Sequence, residues 1–300
     1  MDPSARFQKQ SSDQYTQIRG KLHGGLFTLL TTVSGEDADK YGINQGKTVL
    51  GEGGFGKVKY ALAPDGTLVV VKSIKGEEKI QDSLREIEMM MALKGTKGVA
   101  QCLDYCLTEG VVTEDEGKTR VPTLYIFQPV YNPIDGLASD LREATGQDQL
   151  NQMKQVAVEL IKATLAMHNA GIYHRDIKPE NCMVDSDGAL LLADLGLATT
   201  SQEPVTDLSY AVGSVSYIPP DPQDEGHGFT PAQQDAWALG VTLYELFTGE
   251  SVGGAYDFKY DPYWPSGFPE TVEGILTPMF ASDPAQRPSL QDVMNSFEHL

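Results

Sequence analysis

The sequence predicts an α+β protein in which a small β-rich part precedes a larger, mostly helical part. Two patterns and the composition support this prediction. Up to about residue 131, runs of β-favouring residues alternate with turn residues, whereas apolar residues recur at helical spacing from residue 132 onward. The chain has 300 residues, of which 40% are hydrophobic and 22% charged, and this is the balance of a soluble globular protein with an ordinary core.

Residues 1–44 form a polar extension in which the apolar stretch LFTLLTTV predicts one short element of unknown role. The segment KVKYALAPDGTLVVVKSI follows, and its two β-favouring runs around the Pro-Asp-Gly at 64–66 predict a hairpin. Residues 81–95 carry apolar residues at helical spacing, which predicts a helix that stops near Gly95.

Two further strands are predicted for VAQCLDYCL and TLYIFQPVY, with a solvated loop between them in the acidic segment TEGVVTEDEGKTR. The second half begins with a long predicted helix, DQLNQMKQVAVELIKATLAMHNAG, for which Gly171 is the stop. A second, apolar helix, AQQDAWALGVTLYELFTG, ends at Gly249. A third helix starts at SLQDVMNSF, where Ser289 and Asp292 form a capping pattern.

The charge and the cysteine count limit the classes of partner and the compartment. A formal net charge of −19 repels nucleic-acid backbones and anionic lipid, so we expect no nucleic-acid partner. No apolar run approaches the roughly 18 residues of a membrane span, and the polar N-terminus lacks the pattern of a secretory signal. Three cysteines predict buried thiols in a reducing, cytoplasmic compartment, with export through a non-cleaved N-terminal signal as the open alternative. The oligomeric state is not predicted.

The stretch GEGGFGKV at residues 51–58 matches three kinds of nucleotide-binding loop. A dinucleotide-binding turn needs a helix directly after the glycines, but KVKYAL alternates as a strand does. A P-loop needs a hydroxyl after its lysine, where this chain has Val58. The hypothesis that satisfies the physical requirements is a β-hairpin whose glycines let backbone N–H groups approach phosphates closely.

Charged residues downstream of this loop follow in a specific order. Lys72 ends the strand VVVK, and Glu86 lies 14 residues later on the predicted helix, where a carboxylate can pair with the lysine. The stretch YHRDIKPEN concentrates a carboxylate, cations and an amide after a helix, and Asp194 follows the apolar run LLA. This set of residues in this order indicates chemistry on phosphate groups.

With these motifs, residues 45–300 resemble the eukaryotic-type serine/threonine protein kinase family. The resemblance implies the two-lobed protein kinase fold. Residues 45–131 would form a small antiparallel β-rich N-lobe with one main helix, and residues 132–300 a larger, mostly helical C-lobe. Residues 1–44 would remain an N-terminal extension.

The resemblance also implies a role for each site residue. Asp176 would orient the substrate hydroxyl and accept its proton, Lys178 would steady the γ-phosphate of ATP, and Lys72 would hold the other phosphates with Glu86 as its partner, or Glu88 as the alternative. The metal ligands for Mg²⁺, or for Mn²⁺ instead, would be Asn181 and Asp194. The nucleotide-binding residues would be Gly51, Gly53, Gly56, Val58, Val70, Lys72, Gln128, Pro129, Tyr131 and Met183.

The sequence KPEN around Lys178 resembles that of serine/threonine kinases that act on proteins, and the family resemblance also implies autophosphorylation. Ser214 would contact that lysine, Asp235 would brace the catalytic loop, and Asp221 would pair with Arg287. Acidic residues such as Glu180 favour a protein substrate with basic flanking residues. The rival functions are a pseudokinase-like scaffold and a small-molecule kinase on the same fold.

Overall fold

A computed structural model describes residues 10–12, 15–30, 46, 48–53, 56–114, 117–207, 210–220, 228–252, 262–281 and 283–300. The chain divides into two compact units. The first unit comprises Met1–Lys94 and Gln101–Val130, and the second comprises Gly95–Ala100 and Tyr131–Leu300. The first contains most of the strands and the second most of the helices. The predicted α+β class is confirmed.

The first unit is built on an antiparallel sheet of eight strands in the order β1-β2-β3-β5-β6-β8-β7, in which β4 also pairs with β5. The α-helix among its described residues, α1 (Glu77–Ala92), follows β6. The strands are β1 (Gln10–Ser12), β2 (Tyr15–Arg19), β3 (Leu26–Leu29), β4 (Val49–Gly53), β5 (Gly56–Leu62), β6 (Leu68–Lys75), β7 (Asp104–Glu114) and β8 (Gly117–Pro129).

The predicted hairpin between β5 and β6 is confirmed, and its turn shows why the chain reverses there. The N–H of Ala63 donates to the carbonyl of Thr67 over 2.8 Å, and the N–H of Gly66 donates back to Ala63 over 2.9 Å. The Asp65 carboxylate accepts a further bond from the N–H of Thr67 at 2.9 Å. Aspartate is common in turns because its short side chain bonds the backbone two residues on in this way.

The N-terminal extension contains more structure than the single short element predicted for it. Three strands, β1 to β3, continue the sheet of the first unit as a meander. Ile18 and Phe27 are buried in its core, where the Phe27 ring stacks on Phe127 with centroids 3.9 Å apart. The buried Asp104 carboxylate accepts the backbone N–H groups of Leu22 at 2.8 Å and His23 at 3.1 Å. The described part of the extension, residues 10–12 and 15–30, is therefore packed as part of the first unit.

The solvated loop predicted for residues 108–120 is wrong, because β7 and β8 continue through it as one long hairpin. Their pairing runs without a break from Asp104↔Phe127 to Glu114↔Gly117. The cross-strand pairs include β-branched residues such as Val112 and Thr119, which favour strands. The acidic residues of the segment concealed this preference, because Asp and Glu are depleted in strands. Strand β7 also begins only at Asp104, so Val99–Leu103 is not a strand.

The second unit consists mainly of helices with one small sheet of order β11-β10-β9. Its helices are α2 (Asp135–Glu143), α3 (Gly146–Asn169), α4 (Pro231–Thr248), α5 (Glu270–Leu276) and α6 (Leu290–Glu298), and its strands are β9 (Asn132–Pro133), β10 (Cys182–Val184) and β11 (Leu190–Leu192). The three helices predicted for the second half of the chain are confirmed as α3, α4 and α6. Among the described helices, none has the length and apolar character to span a bilayer.

Local sequence explains where α4 lies and where it begins. Most of its residues are buried, so it is apolar on all sides and packs within the interior of the unit. It starts with a capping box, in which Thr230 accepts the N–H of Gln233 and the Gln233 side chain accepts the N–H of Thr230. This buried helix carries Asp235 beneath the loop that contains the predicted catalytic residues.

Candidate active site

The glycine-rich stretch forms a β-hairpin, as predicted. Gly51 pairs with Val58, and Gly53 pairs with Gly56 at the end of β4 and β5. Gly56 has φ of 131°, and a β-carbon there would lie 2.3 Å from the carbonyl oxygen of Ser73. Only glycine suits that position, because residues with a side chain rarely adopt this backbone conformation and the neighbouring strand leaves no room for a β-carbon.

Lys72 and Glu86 meet in the first unit. Val58 and Lys72 are cross-strand partners, and the lysine Nζ lies 2.9 Å from Glu86 Oε2 and 3.2 Å from Oε1. The Glu86 side chain is 4% exposed, whereas Glu88 is exposed on the same helix. The structure therefore pairs the lysine with Glu86 rather than with the alternative, Glu88. A buried carboxylate holds the ammonium group in one orientation.

Four predicted nucleotide-binding residues lie along β6, β8 and the segment that follows. Val70 pairs with Gln128, and Pro129 pairs with Val69 at the end of β8. The Gln128 side chain donates to the sulfur of Met90 over 3.3 Å, which directs it toward α1. Tyr131 is half-buried and begins the second unit.

The predicted catalytic residues of the second unit converge on the carboxylate of Asp176. Lys178 Nζ donates to Asp176 Oδ2 over 2.8 Å and to Ser214 Oγ over 2.8 Å. The N–H of Ser214 donates to Asp176 Oδ1 over 2.9 Å. Asn181 Nδ2 bonds the Asp176 carbonyl at 2.8 Å and its carboxylate at 3.2 Å. The structure thus brings together Asp176, Lys178 and Asn181, and adds Ser214 from a distant part of the chain.

These hydrogen bonds determine the charge state of Asp176. Burial favours the neutral acid and opposes ionisation of this carboxyl group. The hydrogen bonds from Lys178 and Ser214, together with the lysine charge, outweigh burial and hold the pKa of Asp176 below its ordinary value. The group is therefore a carboxylate at neutral pH, which is the form that can accept a proton.

Asp235 braces the loop from beneath. Its carboxylate, which is fully buried, accepts the backbone N–H of His174 at 2.8 Å and of Arg175 at 2.7 Å. It also lies 2.8 Å from Nε2 of His168 on α3. Arg175 has the left-handed φ of 65°, a conformation that a non-glycine residue keeps only when its surroundings impose it. The bracing role expected for Asp235 is supported by this geometry.

Asp194 follows β11 and takes φ of 62° before a single 3₁₀ turn, Leu195–Leu197. The N–H of the preceding Ala193 donates to the carbonyl of Asn181 over 2.9 Å, so the two predicted metal-ligating residues belong to adjacent backbone segments. Met183 lies on β10 and pairs with Leu191 and Pro133. Leu195 is buried.

The sequence also predicts a pair between Asp221 and Arg287. Arg287 is half-buried. Its Nε donates to the carbonyl of Ala281 over 2.9 Å, and its guanidinium lies 4.8 Å from the Trp237 ring centre. Burial lowers the pKa of Arg287 to about 10. Its expected partner Asp221 lies outside the described residues, as does Ser209. Two buried polar residues, Asp104 and Gln234, were not singled out from the sequence, because a single buried amide or carboxylate has no periodic signal.

Comparison with known proteins agrees with this geometry. A model of the protein kinase domain family matches residues 45–297. CBL-interacting protein kinase 24 of Oryza sativa subsp. japonica is 31% identical over 251 residues, which are 78% of this chain and 52% of that protein. CBL-interacting serine/threonine-protein kinase 9 of Arabidopsis thaliana is 28% identical over 265 residues, 82% of this chain and 55% of that protein.

The chain thus spans about half the length of these curated relatives. Among solved structures, the ROP18 kinase domain in complex with AMP-PNP and sucrose matches with a TM-score of 0.72 at 20% identity. The match covers 96% of this chain and 84% of that one, and it shows the shared fold. The two-lobed kinase fold expected from the sequence is therefore confirmed. On the family match and its serine/threonine kinase relatives, this chain belongs to the protein kinase family.

Proposed function

We propose that this chain is an active serine/threonine protein kinase that transfers the γ-phosphate of ATP to protein hydroxyl groups, its own included. The observation that carries the proposal is the ionised Asp176 carboxylate bonded to both Lys178 and Ser214. Phosphoryl transfer requires a positioned acceptor group and neutralised charge more than covalent chemistry, and this set supplies both.

In the proposed transfer, the Asp176 carboxylate accepts the hydrogen bond of the attacking hydroxyl and receives its proton. Lys178 stands beside it with a positive charge for the γ-phosphate oxygens, and Ser214 holds both groups in place. Preorganised charges of this kind stabilise the transition state without reorganisation during the reaction. A scaffold without chemistry has no need of an aligned, ionised Asp176.

For the first unit we propose contacts with the other phosphates. Lys72 is oriented by Glu86, and its ammonium group is assigned to the α- and β-phosphates. The backbone of the hairpin at Gly51, Gly53 and Gly56 is assigned to phosphate covering. The adenine contacts are assigned to Val58, Val70, Gln128, Pro129, Tyr131 and Met183.

Asn181 and Asp194 fit the ligand preference of Mg²⁺, and of Mn²⁺ as the alternative. Because Asn181 Nδ2 is the donor in both of its hydrogen bonds, its amide oxygen points away from those acceptors as a potential ligand. Within the described residues no group of three or more His, Cys, Asp or Glu forms a metal cage. A site with few protein oxygens suits Mg²⁺, which retains waters and shares phosphate oxygens. When bound, the ion would neutralise phosphate charge.

We further propose that the protein substrate carries basic residues near its acceptor hydroxyl. Tyr217, three residues after Ser214, donates its hydroxyl proton to Glu245 on α4. Burial, this hydrogen bond and the charges of Glu245 and Glu180 raise the pKa of Tyr217. Two carboxylates therefore act on the segment beside the reacting group, where they favour cationic side chains.

Incubation of the purified protein with radiolabelled ATP, Mg²⁺ and a mixed protein substrate tests the activity. We expect labelled substrate from the parent chain and from the control Asp187→Ala, because Asp187 is an exposed residue of the turn between β10 and β11. Asp176→Ala should yield essentially none. ADP without labelled protein would favour a small-molecule kinase, and no ADP at all would favour a scaffold.

A further inference from the structure

Gln234 lies directly before the bracing residue Asp235 in the first turn of α4. Its side chain is buried, with 1% exposed, and Nε2 donates to the carbonyl of Val212 over 2.7 Å and of Arg175 over 3.2 Å. Because both partners are acceptors, only the amide nitrogen can face them, and this chemistry defines the orientation of the amide group. Gln234 thereby joins two segments that are far apart in the chain.

The first of these segments leads into Asp176. The N–H of Arg175 is held by Asp235 and its carbonyl by Gln234, so both peptide groups of this residue are fixed from the same helix turn. Arg175 needs this support because its φ of 65° is rare for a residue with a side chain. Any relaxation of its backbone moves the next residue, Asp176.

The second segment leads into Ser214, two residues after Val212. Between them, a β-carbon on Gly213 would lie 2.3 Å from the carbonyl oxygen of Arg175, so the two backbones are in direct contact. Ser214 then bonds Asp176 through its N–H and Lys178 through its hydroxyl. The contacts of the proposed catalytic carboxylate therefore depend on how these backbones are spaced.

The Gln234 amide is the donor that this spacing requires. Two carbonyl oxygens carry like partial charges and repel each other, and their partly buried position limits the water that could separate them. An NH₂ group has two hydrogens and satisfies both carbonyls at once. A side chain of equal length without a donor removes the bonds that Gln234 makes to both oxygens.

We propose that Gln234 is a positioning residue for the transfer reaction: it clamps the backbones of Arg175 and Val212 so that Asp176, Lys178 and Ser214 stay aligned. This role rests on the proposed kinase activity for its kinetic consequence, but the clamp itself is a structural property. Gln234 touches neither ATP nor the acceptor in this role.

The test compares Gln234→Met and Gln234→Glu with the matched control Gln233→Met. Methionine retains the length but has no donor, and an ionised glutamate places oxygens against the carbonyls. Gln233 is the adjacent amide, and its described hydrogen bonds stay within the capping box of α4. The control therefore reports any general weakening of the helix start.

Hydrogen–deuterium exchange is the first measurement. We expect faster exchange in peptides that cover residues 173–178 and 210–217 in both Gln234 variants but not in Gln233→Met. Unchanged exchange in both segments overturns the proposal. Loss of folding in both variants also overturns it, because Gln234 would then serve the stability of the unit.

Steady-state kinetics is the second measurement. We expect kcat for protein phosphorylation to fall on the order of 10- to 100-fold in the Gln234 variants, with the KM for ATP within about twofold of the parent. Loss of ATP affinity in parallel with kcat would contradict a positioning role. If the parent chain transfers no phosphate, the proposed function fails, and the exchange experiment still decides whether the clamp exists.

Discussion

At the scale of single residues, the proposed chemistry of the candidate site depends on a carboxylate that accepts hydrogen bonds from neighbouring residues. Asp176 accepts bonds from Lys178, Asn181 and Ser214, and its pKa is lowered in the folded chain. Its ionised form therefore stabilises the fold above the pKa it has when unfolded. This contribution is lost as the pH falls through the lowered folded pKa.

We expect Asp194→Asn to reduce kcat strongly while the protein stays folded. The substitution removes the charge proposed to bind the metal ion but retains the size of the side chain. Loss of one preorganised electrostatic group costs on the order of 10²–10³ in kcat. Turnover and thermal melting, measured beside Asp187→Asn, check this result, and parental turnover by a folded Asp194→Asn protein would contradict the assignment.

The two glutamates of α1 give a matched comparison. Glu86→Gln should weaken transfer markedly, because the half-buried Lys72 loses the carboxylate charge that orients its ammonium group. Glu88→Gln should leave transfer near the parental level, because Glu88 is exposed. The kcat and the KM for ATP of both variants are the measurements. Equal effects of the two substitutions would argue against a specific role for Glu86.

At the scale of elements, the N-terminal meander and the segment after Asp194 carry the main consequences of the structure. The meander β1–β3 buries Ile18 and Phe27 in the sheet core and bonds Asp104 through its turn. The segment after Asp194 is attached at two isolated bridges, Tyr173↔Thr199 and Val205↔Phe229. We expect the first element to affect the stability of the fold and the second to affect the regulation of activity.

Phe27→Ala should destabilise the protein by about 3–5 kcal/mol, because it removes a buried ring that stacks on Phe127 and leaves a cavity. Leu26→Ala is the control, since this neighbour is 37% exposed. Chemical denaturation monitored by circular dichroism measures both. A change below about 1 kcal/mol for Phe27→Ala would show that the extension packs only loosely on the sheet.

We predict that phosphorylation of the segment after Asp194 raises activity. Arg175 is half-buried, and its Nε donates to the carbonyl of Leu197 over 2.7 Å, which directs the guanidinium toward this segment. A phosphate adds about −1.5 to −2 charge and three acceptor oxygens, which an arginine can bind. The favoured acceptors are Thr206, which is exposed, and Ser209, with Tyr210 as a third candidate.

Intact-mass analysis of active protein before and after phosphatase treatment measures the effect. Thr206→Ala should then lose the activation, while Thr200→Ala, which changes another exposed threonine of the segment, should retain it. Full activity in protein that carries no phosphate would mean that Arg175 serves only the fold of the loop.

At the scale of the whole molecule, the dominant physical property is a net charge of −19. Such a charge attracts cationic substrates over distances longer than a direct contact and repels anionic ones. The carboxylates of Glu180 and Glu245, which raise the pKa of Tyr217, would extend the proposed preference to the neighbourhood of Asp176.

Peptides with basic residues around the acceptor should therefore have a lower KM than peptides with acidic flanks. Salt should raise this KM, because exposed charges are screened over roughly 8–10 Å at moderate ionic strength. A peptide array and a titration from low to high salt measure both effects. Preference for acidic flanks would contradict the proposed substrate preference. An identical KM at all salt concentrations would mean that the charge contributes only to solubility.

The sequence by itself determined the candidate residues for the proposed chemistry and the order of the main elements. Each candidate residue stands in a short motif that can be recognised locally. Lys72 ends a strand, Asp176 lies in a polar loop, and Asp194 follows an apolar strand. Helices such as α3 and α4 repeat their apolar residues with the period of the helix, so a window of the chain is sufficient to find them. These signals are local, so they can be recognised without any knowledge of distant contacts.

Only the tertiary structure decided what these residues touch. Asp104 meets Leu22 across 82 residues, and Ser214 meets Asp176 across 38. The strands of the N-terminal meander and the long β7–β8 hairpin likewise depend on partners that local propensity does not reveal, because strand pairing is formed between separate segments. Gln234 has no pattern of its own, and its role arises from two carbonyl oxygens that the fold brings to one amide.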